Sequence, residues 1–320
     1  MEYILVTGYA GYIGSHICKK LKQQGYGVIG IDLHEPSQWD VFEQYVDRQF
    51  NWNYSDIRTC HALTKYNIKT VIHTAATSLV GPSVGDPDAY YENNVSEMKI
   101  LLNHCRRAGV ERIVYSSSAA VYGKGYSVFD ETIVPAPISP YGKTKLIGEW
   151  MINDYCVAYD ITGIALRYFN VCGADSDGEF GQTGKPSHII PVALNCAMHE
   201  KELVINGNSY DTADGTCERD YVHVEDVAQA NILACKADID EFSVVNIGNG
   251  LGYSNLEIAN SVNQYTKYQL NYSFGPARSG DPDKLISCNN RAKSLLNWDT
   301  KHRDVTAIIE SAERWHENTQ

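Results

Sequence analysis

Short, largely apolar runs alternate with longer amphipathic stretches through the first half of the chain. Tyr3–Thr7, Val28–Asp32, Thr70–His73, Arg112–Tyr115 and Thr162–Leu166 read as strands; Ile13–Gln24, Arg58–Tyr66, Tyr90–Arg107 and Tyr141–Tyr159 read as helices between them. Gly25 and Gly109 stand where two of these helices should stop, each just before the next strand. Strands alternating with helices predict βαβ units, and so an α/β fold with a parallel sheet covered on both faces.

After about Asn170 the texture changes. Residues 173–186 and 206–217 are rich in Gly, Asp, Asn and Ser and read as loops. Shorter elements surround them: a helix from Pro191 to about His199, a strand at Val222–Val224 followed by a helix Glu225–Lys236, and a helix Leu256–Tyr265 announced by the capping-box pair Ser254 and Glu257. The expected organisation is a large α/β domain at 1–169, to which 220–248 returns, and a smaller, loop-rich domain from 170–219 and 249–320.

Composition narrows the function. The 320 residues are 43% hydrophobic and 21% charged, enough apolar mass for a real core. Lys and Arg number 27 against 39 Asp and Glu, a net charge of −12. Such a chain suits neither nucleic acid nor an anionic membrane surface, and any phosphate must be held by backbone amides or individually placed arginines. Nine cysteines, an odd count without C-x-x-C, read as free thiols in a reducing, cytoplasmic setting. The ten histidines lack metal-binding spacing. The N-terminus lacks the pattern of a signal peptide, and no apolar run approaches a membrane span.

Candidate chemistry sits at the ends of strands. Val6-Thr7-Gly8-Tyr9-Ala10-Gly11-Tyr12-Ile13-Gly14 follows a strand and opens a helix. Gly8 suits a tight turn, Gly11 lets backbone approach a pyrophosphate at the helix N-terminus, and Gly14 lets helix and strand pack closely. Asp32 ends the second strand, where a carboxylate accepts from an adenosine ribose diol; Leu33 and His34 follow it rather than an arginine, which favours NAD over NADP. This is the pattern of a Rossmann-type, doubly wound sheet. Ser116-Ser117-Ser118 follow the strand ending at Tyr115, and Tyr141 and Lys145 are four apart, on one helix face. An ammonium beside a phenol lowers its pKa and makes a usable base.

In this order the segments resemble the extended short-chain dehydrogenase/reductases, and within them most closely the UDP-glucose (UDP-galactose) 4-epimerase branch. TGYAGYIGSH at 7–16, SDIR at 55–58, VIHTAA at 71–76, YYENNV at 90–95, SSSAAVYG at 116–123, SPYGKTK at 139–145, LRYFNVCGAD at 166–175, SHIIP at 187–191, DGTCERDYVHVEDVA at 214–228 and ARSGDP at 277–282 carry the resemblance over nearly the whole chain. It implies NAD on Gly8, Gly11, Tyr12, Ile13, Gly14, Asp32, Asp56, Ile57, Ala75, Ala76, Asn94, Ser116, Tyr141, Lys145 and Tyr168. It implies a UDP-sugar on Asn170, His188, Arg219, Arg278 and Asp281, with Ser118 and Tyr141 facing the sugar and Leu285 at the position that gates an N-acetyl group. Ser118, Tyr141 and Lys145 would be catalytic, through a transient 4-ketone.

The resemblance also implies a homodimer built on Tyr90–Arg107 and Tyr141–Tyr159, with Trp150 and Met151 serving packing or the dimer face. Three positions depart from the family pattern: Tyr9 for a usual glycine, Thr74 for phenylalanine and Val171 for proline. Ala119-Ala120 after Ser118 lack the acid pair of a 4,6-dehydratase. UDP-uronate or UDP-pentose 4-epimerases, and a catalytically silent NAD-sensing protein, remain as alternatives. Taken singly, Asn170 could satisfy a loop, Arg219-Asp220 could form an ion pair, and His223 has no catalytic part.

Overall fold

A computed structural model describes residues 1–36, 39–184, 186–278 and 281–319. Seven parallel strands form its main sheet: β1 (Tyr3–Thr7), β2 (Gly27–Asp32), β3 (Arg48–Asn51), β4 (Thr70–His73), β5 (Arg112–Ser118), β7 (Thr162–Tyr168) and β11 (Phe242–Ile247). Their spatial order is β11-β7-β5-β4-β1-β2-β3, so the order reverses on either side of β1 and β4. A cleft forms at such a switch point, beyond the carboxyl ends of the strands.

The period-2 alternation of strand side chains divides the apolar runs between two cores. Ile4, Val6, Val28, Ile72, Val114 and Ile164 face α1 (Tyr12–Gln23) and α9 (Val224–Ala234). Leu5, Ile29, Val71, Ile113 and Tyr115 face α3 (Ile57–Lys65), α6 (Met98–Ala108) and α7 (Pro140–Tyr159). Burial on both faces is why these strands are apolar without alternation. The short helices α2 (Trp39–Phe42), α4 (Val80–Gly85) and α5 (Pro87–Tyr91) fill connections.

The rest of the chain builds two smaller sheets. β10 (Glu218–His223) centres one, pairing with β8 (Asn170–Cys172), β12 (Gly252–Ser254) and β14 (Lys284–Ser287), with β6 (Val128–Phe129) on the far side of β14. β9 (Glu202–Asn206) and β13 (Asn271–Gly275) pair in parallel as the other. A third core joins α8 (Ile189–Met198), α10 (Asn255–Tyr265) and α12 (Val305–Asn318) through Leu194, Ile258 and Ile308. α11 (Asn290–Leu296) returns toward the main sheet. The Ser254–Glu257 capping box is present with both of its hydrogen bonds. No helix among the described residues is long and apolar enough to cross a membrane.

Three expectations need correction. The helix expected over Tyr90–Arg107 is interrupted by a π-helical turn at Glu92–Glu97, which turns Asn94 inward. The helix expected from Pro191 starts at Ile189, leaving Pro191 in the first turn, where its missing N–H is not needed. The strand at Val222–Val224 is Glu218–His223, and His223 ends it by accepting from Glu225 N as the cap of α9. β3, β11 and α12 were not anticipated as elements. Ser279-Gly280 of the ARSGDP run, and Lys185 in the loop at 173–186, lie outside the described residues.

Candidate active site

The turn after β1 is built around glycine. Gly8 has φ +74°, donates to Ile31 O at 2.8 Å and accepts from Gly11 N at 3.1 Å. A Cβ on Gly14 would lie 2.0 Å from Gly8 O, so nothing larger than glycine lets α1 start this close to the turn. Gly11 caps α1 in extended conformation without a side-chain bond, which leaves the first N–H groups for an anion. At the end of β2, Asp32 accepts from Ala10 N and His34 N, each at 3.2 Å. Burial pushes its carboxyl upward against these bonds. A glycine cradle with free amides and an adjacent carboxylate fits a dinucleotide.

The departures from the family pattern have local reasons. Tyr9 is fully buried, stacks on Phe42 at 5.7 Å and donates to Gln49 Oε1 at 2.9 Å. Its ring points away from the turn into the core beside Gly30. Thr74 donates to Thr7 O at 2.7 Å and so ties β4 to β1 directly below the turn. Val171 lies within β8, opposite Val222.

Other nucleotide-side residues are held by the frame. Tyr12 Oη donates to Gly173 O at 2.7 Å, and Ile13 packs on the core beneath α1. Asp56 caps α3 and pairs with Arg58 at 2.7 Å, while Ile57 is exposed. Ala75 N donates to Thr7 O at 3.1 Å, and Ala76 follows it in the segment leaving β4. Asn94 is buried, accepts from Thr77 N at 2.8 Å and donates to Thr77 O and to Thr144 Oγ1 on α7. The Ser116 and Tyr168 hydroxyls bond each other at 3.1 Å, and Tyr168 also meets Asn231. These bonds brace β5 against β7 and α9.

Ser118, Tyr141 and Lys145 come together at the carboxyl end of β5. Ser139 accepts from Gly142 N at 3.1 Å and Pro140 follows it, which starts α7 and puts Tyr141 in its first turn. The Tyr141 hydroxyl lies beside Ser118, and its ring meets the edge of the Tyr90 ring. Lys145 Nζ donates to Ser116 O at 2.8 Å and lies 5.8 Å from the centre of the Tyr141 ring. The expected lowering of the phenol by its lysine is not what this geometry gives. Burial pushes Tyr141 up to about 12, against the neighbouring Ser118 hydroxyl, and draws Lys145 down to about 7, against the charge of Glu149. Removing both groups from water disfavours both charges, and Lys145 is turned to a carbonyl rather than to the phenol oxygen.

The second sheet carries the substrate-side residues. Asn170 opens β8, opposite Tyr221. Arg219 on β10 is buried and reaches Asp281 at 3.4 Å. Asn206, with its amide oxygen toward Arg278, accepts from Nη2 at 3.1 Å and Nε at 3.3 Å. His188 caps α8 by position only; burial and the nearby Arg278 hold its imidazole below the ordinary range. Leu285 on β14 lies opposite Arg219 and packs against the cluster of Ala119, Tyr122 and Phe169, between the arginine and the end of β5. The ion pair imagined between Arg219 and Asp220 does not form. Asp220 instead accepts from Asn249 N, Gly250 N, Ser287 N and Ser287 Oγ at 2.6–3.0 Å.

Two contributors escaped the sequence reading: Thr144, which holds Asn94, and Glu149, one turn beyond Lys145. The four-residue spacing Tyr141, Lys145, Glu149 was the available signal for the second.

The model of the NAD dependent epimerase/dehydratase family matches residues 4–248. A UDP-glucose 4-epimerase of Lacticaseibacillus casei is 40% identical, over 98% of this chain and 97% of that protein. The crystal structure of a UDP-glucose 4-epimerase from Brucella ovis in complex with NAD aligns with a TM-score of 0.91 at 38% identity, covering 98% of each chain. The Stenotrophomonas maltophila UDP-glucose 4-epimerase, with bound NAD and formylated UDP-arabinopyranose, aligns with a TM-score of 0.95 at 32% identity, covering 100% of this chain and 99% of that one.

Proposed function

The chain belongs to the NAD-dependent epimerase/dehydratase family, and on that premise we propose that it inverts C4 of a UDP-hexose, interconverting UDP-glucose and UDP-galactose through a 4-ketone. The observation that carries this reading is the meeting of Tyr141, Ser118 and Lys145 at the strand ends between the glycine turn and the Arg219–Asp281 pair.

C4 has no acidic C–H, so loss of a proton from carbon cannot invert it, whereas oxidation to a ketone erases the stereocentre. When bound, NAD⁺ supplies the acceptor and then the donor of the C4 hydride. Gly8, Gly11 and Gly14 would hold its pyrophosphate and Asp32 its adenosine ribose. Tyr141 Oη takes the 4-OH proton as the ketone forms and returns it after the sugar has turned. Ser118 Oγ would bond the sugar oxygen, and Lys145, in the state in which it holds the proton, would favour the phenolate over the phenol. Arg219 and Arg278 would hold the diphosphate, with His188 and Asn170 beside them, and Asp281 the uridine ribose. That remote binding keeps the sugar in place through both poses.

The apolar residues Ile100, Trp150 and Val157 are exposed on α6 and α7, which supports a homodimer formed through these helices. Nine free thiols suit a cytoplasmic enzyme. The test is turnover: UDP-glucose, UDP-galactose, their N-acetylated counterparts, UDP-pentoses and UDP-uronic acids incubated with the purified protein and followed for C4 inversion. Inversion of the plain hexoses supports the reading. Tight NAD binding without turnover of any of them would leave a nucleotide-sensing protein.

A further inference from the structure

β5 ends in three consecutive serines, and each engages a different residue along one face of α7. Ser118 lies beside Tyr141, the Ser116 carbonyl accepts from Lys145, and Ser117 Oγ donates to Glu149 Oε1 at 2.5 Å. Glu149 is 3% exposed. Arg167 on β7 closes a two-pronged bond on it, Nε to Oε1 at 2.9 Å and Nη2 to Oε2 at 2.7 Å, and lies 4.7 Å over the Tyr122 ring. A buried carboxylate therefore stands one helical turn behind the lysine, on the same strand end that positions Ser118.

We propose that Glu149 is a positioning residue of the epimerase reaction, fixing the serine end of β5 through Ser117 and holding the shared proton on Lys145 rather than on Tyr141. This rests on the reading of Tyr141 and Lys145 as the reacting pair.

The other groups facing that pair come from several elements. Tyr115 of β5 lies 5.0 Å under Lys145 Nζ, and His73 of β4 stacks on Tyr115. Tyr90 of α5 meets Tyr141, whose charge would also be felt by Tyr168 of β7. Of these groups and Glu149, only Glu149 carries a negative charge. With one proton between them, the pair is either neutral on both side chains or ionised on both, and only the ionised arrangement offers a base. A carboxylate beside the lysine favours it.

The signs follow. Without the charge of Glu149 a proton leaves the pair at lower pH, but it leaves from Lys145. Glu149→Gln should therefore lower the plateau kcat about tenfold and move the acid limb of the kcat profile down by roughly one pH unit, with KM for UDP-galactose within about twofold. Arg167→Met should move the limb upward, and Glu149→Gln/Arg167→Met should return it toward wild type. If Glu149→Gln does not accumulate as folded protein, the other two variants carry the sign test. Limbs that stay in place in all folded variants, with kcat falling in step with thermal stability, would make the pair purely structural and overturn the proposal. Should Tyr141→Phe keep wild-type kcat, the underlying reading falls and the inference with it, a result distinct from an unmoved limb in a protein that Tyr141→Phe inactivates.

Discussion

The Tyr9 ring lies flat against Gly30: a methyl group on Gly30 would sit 2.4 Å from Tyr9 Cγ. The side chain that this chain adds to its nucleotide turn is thus received by a missing side chain on the neighbouring strand. Gly30→Ala should destabilise the protein by about 1–3 kcal/mol, the usual cost of overfilling a packed core. Combining it with Tyr9→Gly should cost less than the sum of the two single changes, because the clash is gone. Thermal denaturation of the four proteins measures the coupling; strict additivity would mean that the two positions do not oppose each other.

Tyr141→Phe should lower kcat by ~10²–10⁴, the range for loss of a general base, with little effect on UDP-sugar affinity. Ser118→Ala should be milder, since water can replace its hydroxyl. Steady-state kinetics together with UDP binding by calorimetry separate the chemical step from binding.

Leu285 packs beside Ala119 on the strand opposite Arg219. A tyrosine there would fill the space that an acetamide needs, a discrimination of ~1–3 kcal/mol. Leu285→Tyr should suppress turnover of UDP-N-acetylhexosamines and spare the plain hexoses. Equal losses on both classes would place Leu285 outside the sugar pocket.

Lys19 on α1 binds Asp175, Asp177 and Glu179 at 2.7–2.9 Å. Burial pulls its ammonium down, but the three carboxylates more than offset it and hold it above its ordinary range. Lys19→Met would leave Asp175 buried without its cation, typically a loss of about 3–5 kcal/mol. Tm at neutral pH should fall accordingly. The gap to wild type should narrow in acid, as Asp177, which Lys19 holds below its ordinary range, takes up its proton.

His302 and Asp226 set a pH window for stability. Asp226 raises His302 above 6.5, and the bonds from His302 and Thr300 keep Asp226 below 3.8 in spite of its burial. The histidine's contribution is complete below 6.5 and is lost as pH rises through its raised value. The aspartate's is complete above 3.8 and is lost as pH falls through its lowered value. The pair is strongest between those limits. His302→Gln should flatten the decline in Tm as pH rises above 6.5; an identical slope in both proteins would contradict the assignment.

Long apolar runs made the inner strands legible, because burial on both faces leaves little choice of residue. The edge strand Arg48–Asn51 was not, since RQFN holds a single apolar residue in four positions and so has no period to read. The π turn at Glu92–Glu97 was hidden for another reason: one extra residue in a helix leaves the amphipathic pattern on either side intact. Within the site, motif spacing brought Ser118, Tyr141 and Lys145 together, but ionisation depends on how far each is removed from water, which spacing does not encode. The pairing of Glu149 with Arg167 carries no such signal: it spans two elements, and only the fold buries them against each other.

Asp220 gathers β10, the turn at Asn249–Gly250 and the end of β14 onto one carboxylate. Arg219 precedes it in the chain, and Leu285 stands two residues before Ser287. The segments that would grip the diphosphate and wall the sugar are therefore tied together at one buried carboxylate. On the proposed function, a ketone formed above this floor would meet the same tied segments before and after it swings.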